Sequence, residues 1–181
     1  MAYPTHSEWI ASLSPDVRKS AFALIERFQA LGADDPEGWA RSEISEDIPQ
    51  LARFAFLRTL WPQQINRWVD PASTEFDKYV ALADSEPKAP FADAGAALKR
   101  VLALGAARSD IAAIARMVAY RTVFDLLAHI DEGCDPDRPA GLPGWTLIET
   151  DRNDHPTGRA VGGLHEDVLM LDPTGREGSP E

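Results

Sequence analysis

Proline placement is the feature that most constrains how this chain folds, because it marks where helices begin. Ser14-Pro15-Asp16 and Asp35-Pro36-Glu37 each place an N-cap residue before a proline at the first helical position. The acid that follows each proline suits the positive end of a helix. Asp70-Pro71 opens a third apolar run in a similar way. These signals predict a chain built from successive amphipathic helices.

The spacing of apolar residues extends this prediction along the chain. It predicts helices from Ser14 to Gly32, from Asp35 to before Pro49, over about 49–61, from Asp70 through Leu82, and over 91–104 and 109–132. The helix over 49–61 has almost no polar face, which predicts a central position in the bundle. Pro62 is expected to end or kink it.

The composition changes after Gly133. Residues 134–144 contain three prolines and two glycines, which indicates irregular structure. Residues 145–150 are typical of a strand, and 159–161 are expected to return as its hairpin partner. Leu164, Val168 and Leu171 match a short helix, although their alternation would also fit a continued strand. The predicted fold is mainly α: a bundle of six or seven helices over 1–133, with a C-terminal hairpin and short helix over 134–181 packed on the same domain.

Length and composition place the chain among single-domain proteins of the cell interior. Its 181 residues are 44% apolar, enough for one core. No apolar stretch approaches the roughly 20 residues of a bilayer span. The first ten residues carry no lysine or arginine, so no secretory signal is predicted. A single cysteine, Cys134, fits a reducing compartment, and the expected location is the cytoplasm.

The formal net charge of −11 restricts the classes of partner. An acidic field repels phosphate backbones and anionic membranes, so neither nucleic acid nor membrane is an expected partner. The same field favours a basic partner protein, although solubility alone also explains an acidic composition. Residues 104–111 are similar to the turn of a helix-turn-helix, but the alanines that follow offer nothing to read a base edge.

The helix over 109–132 contains the first candidate site. At 100° per residue, Ile111 and Val118 lie on one side of its first half, and Arg121, Asp125 and His129 continue that line. If neighbouring helices enclose this line, Asp125 would orient the His129 ring as a general base requires. Arg121, Asp125 and His129 are therefore the predicted catalytic candidates, and a solvated stripe or a structural ion pair is the alternative.

A second group of candidate residues lies near the C-terminus. His165, Glu166 and Asp167 follow Gly162-Gly163 and, with Trp145, are the predicted binding residues. The spacing that places two histidines on one helix face for zinc is absent, so no metal and no cofactor are predicted. Acids flank Cys134 and disfavour its thiolate, which argues against thiol catalysis. Arg53 and Arg58 could receive an anion in a pocket, with core packing as the alternative for most of its aromatic residues, which are Trp39, Trp61, Trp68 and Trp145.

Two functions follow from these observations. The first is a non-enzymatic, immunity-, antitoxin- or inhibitor-like protein that binds a basic partner protein. The second is a small enzyme or ligand-binding protein whose site lies around Arg121, Asp125 and His129. The sequence leaves the oligomeric state open.

Overall fold

The protein is described here by a computed structural model that covers residues 4–70, 73–135, 137 and 141–179. The helices are α1 (His6–Ser12), α2 (Pro15–Ala30), α3 (Pro36–Glu46), α4 (Gln50–Leu60), α5 (Glu75–Ser85), α6 (Ala92–Ala103), α7 (Arg108–Glu132) and α8 (Leu164–Asp167). The strands β1 (Leu147–Thr150) and β2 (Pro156–Val161) pair antiparallel. The prediction of a mainly α bundle with a C-terminal hairpin and short helix is confirmed.

Local capping explains where the first helices begin. Pro15 and Pro36 open α2 and α3, and the Asp35 side chain accepts the backbone N–H of Gly38 at 2.9 Å. Helix α1 was not among the predicted helices, and it begins with a capping box between Thr5 and Glu8. That Thr-x-x-Glu pattern is visible in the sequence and was sufficient to predict the helix.

Pro62 changes the type of helix after α4. The chain continues as a π-helical turn, Trp61–Ile65, and then as a 3-10 turn, Asn66–Trp68. A proline lacks the N–H that would continue the α-helical ladder, which accounts for the change at this point. The predicted start at Asp70-Pro71 falls partly outside the described residues, and α5 begins later, at Glu75.

Helices α5 and α6 form an antiparallel pair that packs at very close range. A Cβ atom added to Gly95 would lie 1.9 Å from the carbonyl oxygen of Tyr79. Only glycine therefore fits at this crossing of α6 over α5. Trp68 packs beside the pair, with its ring stacked 6.0 Å from that of Tyr79.

The C-terminal segment supplies part of the main core. Val161, Leu164 and Val168 are buried against Leu57 of α4, Trp61 and Leu127 of α7. The Trp61 indole N–H also donates to the Val168 carbonyl at 2.8 Å. Helix α8 spans only Leu164–Asp167, so the segment that could have been helix or strand begins as a helix and continues as turns.

No helix in the described ranges is both long and apolar enough to cross a membrane.

Candidate functional site

The structure exposes the side of α7 that was expected to be enclosed. Arg121 and Asp125 form an ion pair of 2.7 Å in which both side chains are more than half exposed. Val118, which was expected to continue a buried line, is 51% exposed. The line is therefore not enclosed and agrees with the alternative of a solvated stripe, because the core of α7 lies on the opposite side, where Tyr120, Val123 and Leu127 pack.

His129 does not meet Asp125 in the way the general-base hypothesis requires. The nearest acid to its Nδ1 is Glu132, at 3.9 Å. Its ring instead packs against Trp145, with 4.7 Å between centroids, while the Trp145 indole N–H donates to the His129 carbonyl. Two predicted site residues from different segments are thus brought together by packing, and no side-chain hydrogen bond fixes the His129 tautomer among the described contacts.

Exposed residues occupy one continuous side of α7, which we name the α7 outer face. At 100° per residue its members lie within about 60° of the direction of Ile114. The α7 outer face consists of Ile114, Met117, Val118, Arg121, Asp125, His129 and Glu132, and the exposed acid Asp110 lies on the same side one turn before Ile114. Its first half is apolar, with Ile114, Met117 and Val118 exposed by 61%, 58% and 51%.

The second half of the α7 outer face leads into an acidic stretch. Between residues 122 and 137 the chain carries five acids and no lysine or arginine. The side chain of Asp131 in this stretch is only 9% exposed, whereas Asp125, Glu132, Asp135 and Asp137 are exposed. The outer side of α7 therefore carries an apolar patch, then the Arg121–Asp125 ion pair, and the helix ends in an acidic stretch of the chain.

A carboxylate was predicted beside the His129 ring, and the structure instead places one beside His165. One carboxylate oxygen of Asp131, Oδ2, lies 2.7 Å from His165 Nδ1 and accepts the His165 backbone N–H at 3.0 Å. Burial alone would raise the pKa of Asp131, but hydrogen bonds from His165 and from the Leu164 backbone outweigh it and lower that pKa below its ordinary value. Asp131 thus caps α8 from outside and fixes the His165 ring, which also meets the edge of Phe124.

Glu166 and Asp167 surround a buried arginine that belongs to α4. Arg53 donates to the Gly163 carbonyl and lies 2.8 Å from an Asp167 oxygen, while Glu166 is farther away at 4.0 Å and largely exposed. Burial raises the pKa of Asp167 even though the Arg53 charge opposes that rise. Gly163 has a φ of 66°, and a Cβ there would lie 2.8 Å from the Arg53 guanidinium, so glycine is required.

These contacts give His165 and Asp167 a structural role, while the prediction that they bind another molecule stays a prediction. His165 and Asp167 fasten the segment to α7 and α4 through Asp131 and Arg53. The sequence could not pair them, since 34 residues separate Asp131 from His165 and 110 residues separate Arg53 from its acceptor Gly163. Glu166 remains largely exposed, and its role as a binding residue stays a prediction.

Within the described residues, no three His, Cys, Asp or Glu side chains converge to hold a metal ion. Comparison with protein-family models, curated proteins and solved structures found no match to this chain.

Proposed function

We propose that the protein binds a basic partner protein through the α7 outer face. The observation that supports this proposal is the exposure of Ile114, Met117 and Val118 on one side of a single helix. Contiguous large apolar side chains on a soluble surface are typical of protein contact sites. Because binding would remove these side chains from water, they supply the driving force of association.

The acidic end of the same surface defines the chemistry of the partner. Glu132 carries negative charge at the end of the α7 outer face, exposed Asp135 and Asp137 follow the helix in the chain, and the charge of Arg121 on the face is paired with Asp125. From Ile114 to Glu132 the α7 outer face is about 27 Å long at about 1.5 Å per residue. A straight surface of this length fits an amphipathic helix that places apolar residues on the first half and lysines or arginines on the second.

The alternative, an active site around Arg121, Asp125 and His129, has less support. These side chains stand in open solvent, where charges are screened and where water is not excluded from a reacting group. Catalysis by an imidazole also requires an oriented ring, and the ring in this protein with a carboxylate 2.7 Å from Nδ1 is His165.

A site-specific photo-crosslinker tests the contact surface. Benzoylphenylalanine at position 118, illuminated in extract of the native cell, is expected to capture a basic protein. The same group at position 22 on α2, where Phe22 is also half exposed, is the matched control. Capture at both positions, or of an acidic protein, would contradict the proposal.

The captured partner is then purified and its affinity is measured by calorimetry. Met117→Lys and Glu132→Lys are each expected to weaken binding by about tenfold or more, whereas Phe22→Lys leaves it unchanged. Added salt is expected to slow association, because rim charges steer the encounter. Self-association through α7 in sedimentation experiments, abolished by Met117→Lys, would instead assign the α7 outer face to a second copy of this chain.

A further inference from the structure

A large groove lies on the side of the bundle away from the α7 outer face. It has a volume of about 900 Å³ and runs between the α2–α3 connection, α4, the 3-10 turn and residues 170–176. Arg116 of α7 lines it, and at 100° per residue Arg116 points about 160° away from Ile114. Ligand sites in helical proteins commonly lie in such spaces between elements.

Arg116 is held in the groove in one orientation. Its Nε donates to the Asn66 side chain at 2.9 Å, and its guanidinium lies over the Trp61 ring at 5.7 Å from the centroid. The side chain is only 20% exposed, so much of its charge is removed from bulk water. A guanidinium fixed by stacking and by one hydrogen bond is pre-organised to receive an oxyanion.

The acid nearest to Arg116 does not satisfy its remaining donors. Asp172 is fully buried and accepts the backbone and hydroxyl of Thr174 at 3.0 and 2.9 Å and the backbone of Gly178 at 2.9 Å. These bonds outweigh burial and lower the pKa of Asp172. Arg116 Nη2 stays 3.6 Å away, beyond hydrogen-bond distance. Asp172 thus balances the charge of Arg116 without occupying its Nη donors.

A second arginine and an apolar wall line the groove, which Asp34, Asp70 and Arg176 also border. Arg58 of α4 lines it and forms no ion pair within the described part of the chain. Trp39 and Phe54 line the same space, with their rings in edge contact 5.4 Å apart. Asp35, another lining residue, already accepts the Gly38 N–H as the cap of α3.

From this arrangement we infer that the groove binds a small organic oxyanion, a carboxylate or a phosphate carried on an apolar or aromatic body. The oxyanion binds the Nη donors of Arg116 and the guanidinium of Arg58. The body lies against Trp39 and Phe54, which exclude water and strengthen the charged hydrogen bonds. This site is separate from the proposed partner surface and does not depend on it.

Matched naphthyl compounds test this inference by calorimetry and by tryptophan fluorescence. The probes are 2-naphthoate, 2-naphthyl phosphate, the neutral 2-naphthamide, and inorganic phosphate. Binding of one or both organic anions at least about tenfold more tightly than the amide is expected, and the preferred anion identifies the class. Inorganic phosphate is expected to bind more weakly, because it cannot use the aromatic wall. Equal affinity for anion and amide, or no binding of either anion, would overturn the inference.

Variants locate the site. Arg58→Gln and Arg116→Gln are each expected to weaken binding of the preferred anion by about tenfold, whereas Arg152→Gln, an exposed arginine of the hairpin turn, leaves it unchanged. Because Arg116 also packs on Trp61, the binding result for Arg116→Gln is used only if circular dichroism shows that this variant is folded. If it is not folded, Arg58→Gln alone decides the outcome. An equal loss of affinity for the anion in Arg58→Gln and Arg152→Gln would show that the anion responds to the overall charge of the protein and not to the groove, and would overturn the inference.

Discussion

Replacing Arg53 by methionine tests whether the C-terminal segment is fastened to the bundle by a buried charge. The substitution preserves a long apolar stem but removes the donors to Gly163 and Asp167. Breaking a buried pair from one side costs about 3 to 5 kcal/mol. Asp167 is still 19% exposed and can recruit water, so we expect the lower end, about 3 kcal/mol. For a chain of this size that corresponds to a decrease in melting temperature of about 6 to 12 °C.

Urea unfolding followed by circular dichroism measures this loss. Arg58→Met is the matched control, since Arg58 lies on the same helix but is exposed, and its effect is expected to stay within about 0.5 kcal/mol. The double variant Arg53→Met with Asp167→Leu removes both charges and is expected to recover at least about 1 kcal/mol of the loss. If Arg53→Met lowers the free energy of unfolding by less than about 1 kcal/mol, Arg53 and Asp167 do not form the inferred buried ion pair.

The pH dependence of the same variant provides an independent check. Burial raises the pKa of Asp167 in the folded protein, so its contribution to stability is full below the unfolded pKa and is lost as pH rises through the folded pKa. Arg53 opposes that rise, and its removal raises the folded pKa further. The deficit of Arg53→Met is therefore expected to be larger near about pH 7 than near about pH 4. A deficit that does not change with pH would show that Asp167 is not the group left unpaired.

Three further substitutions test other contacts. Asp131→Asn is expected to make the free energy of unfolding fall less steeply at acid pH. The pKa of Asp131 is lowered in the folded protein, so its contribution to stability is present above its unfolded pKa and is lost as pH falls through its folded pKa. An unchanged dependence on pH in urea unfolding would contradict this expectation. Asp125→Ala is expected to cost less than about 0.5 kcal/mol in thermal unfolding, since its pair with Arg121 is exposed, and a cost above about 2 kcal/mol would restore the enclosed stripe. Gly95→Ala is expected to lower the free energy of unfolding in urea by about 1 to 3 kcal/mol or more, because the added Cβ would clash with the backbone of Tyr79. An unchanged free energy of unfolding would mean that α5 and α6 are farther apart than in the structure.

The helices could be predicted because their signals are local. A proline at the start and an apolar period predicted α2 and α3 closely, and an apolar period that ends at Gly133 predicted α7. The same type of signal at Thr5 and Glu8 marked α1. The contacts of Arg53 join residues that lie far apart in the chain, and no local pattern in the sequence indicates such partners.

The error at α7 has a specific physical cause. Helical periodicity determines which side chains share a side, but it does not determine which side neighbouring elements cover. Val118 is apolar and was therefore expected to lie on a buried line, whereas the core formed on the side of Leu127. Exposed apolar side chains in a line on a long helix indicate a contact surface, because their exposure to water is unfavourable and binding of another molecule would remove them from water.

The two proposed sites lie on opposite sides of α7, which determines how they would influence each other. Arg116 is held by Asn66 and Trp61, and neither of these residues belongs to the α7 outer face. An oxyanion on Arg116 would meet a side chain that is already fixed, so its binding has no reason to move the helix. A ligand shifts another equilibrium only through a difference in affinity between two states. The affinity for the partner is therefore expected to be the same with and without the oxyanion, and Arg58→Gln is expected to leave partner binding unchanged. Coupling of more than about tenfold would require a second arrangement of α7 in which the groove and the outer face change together.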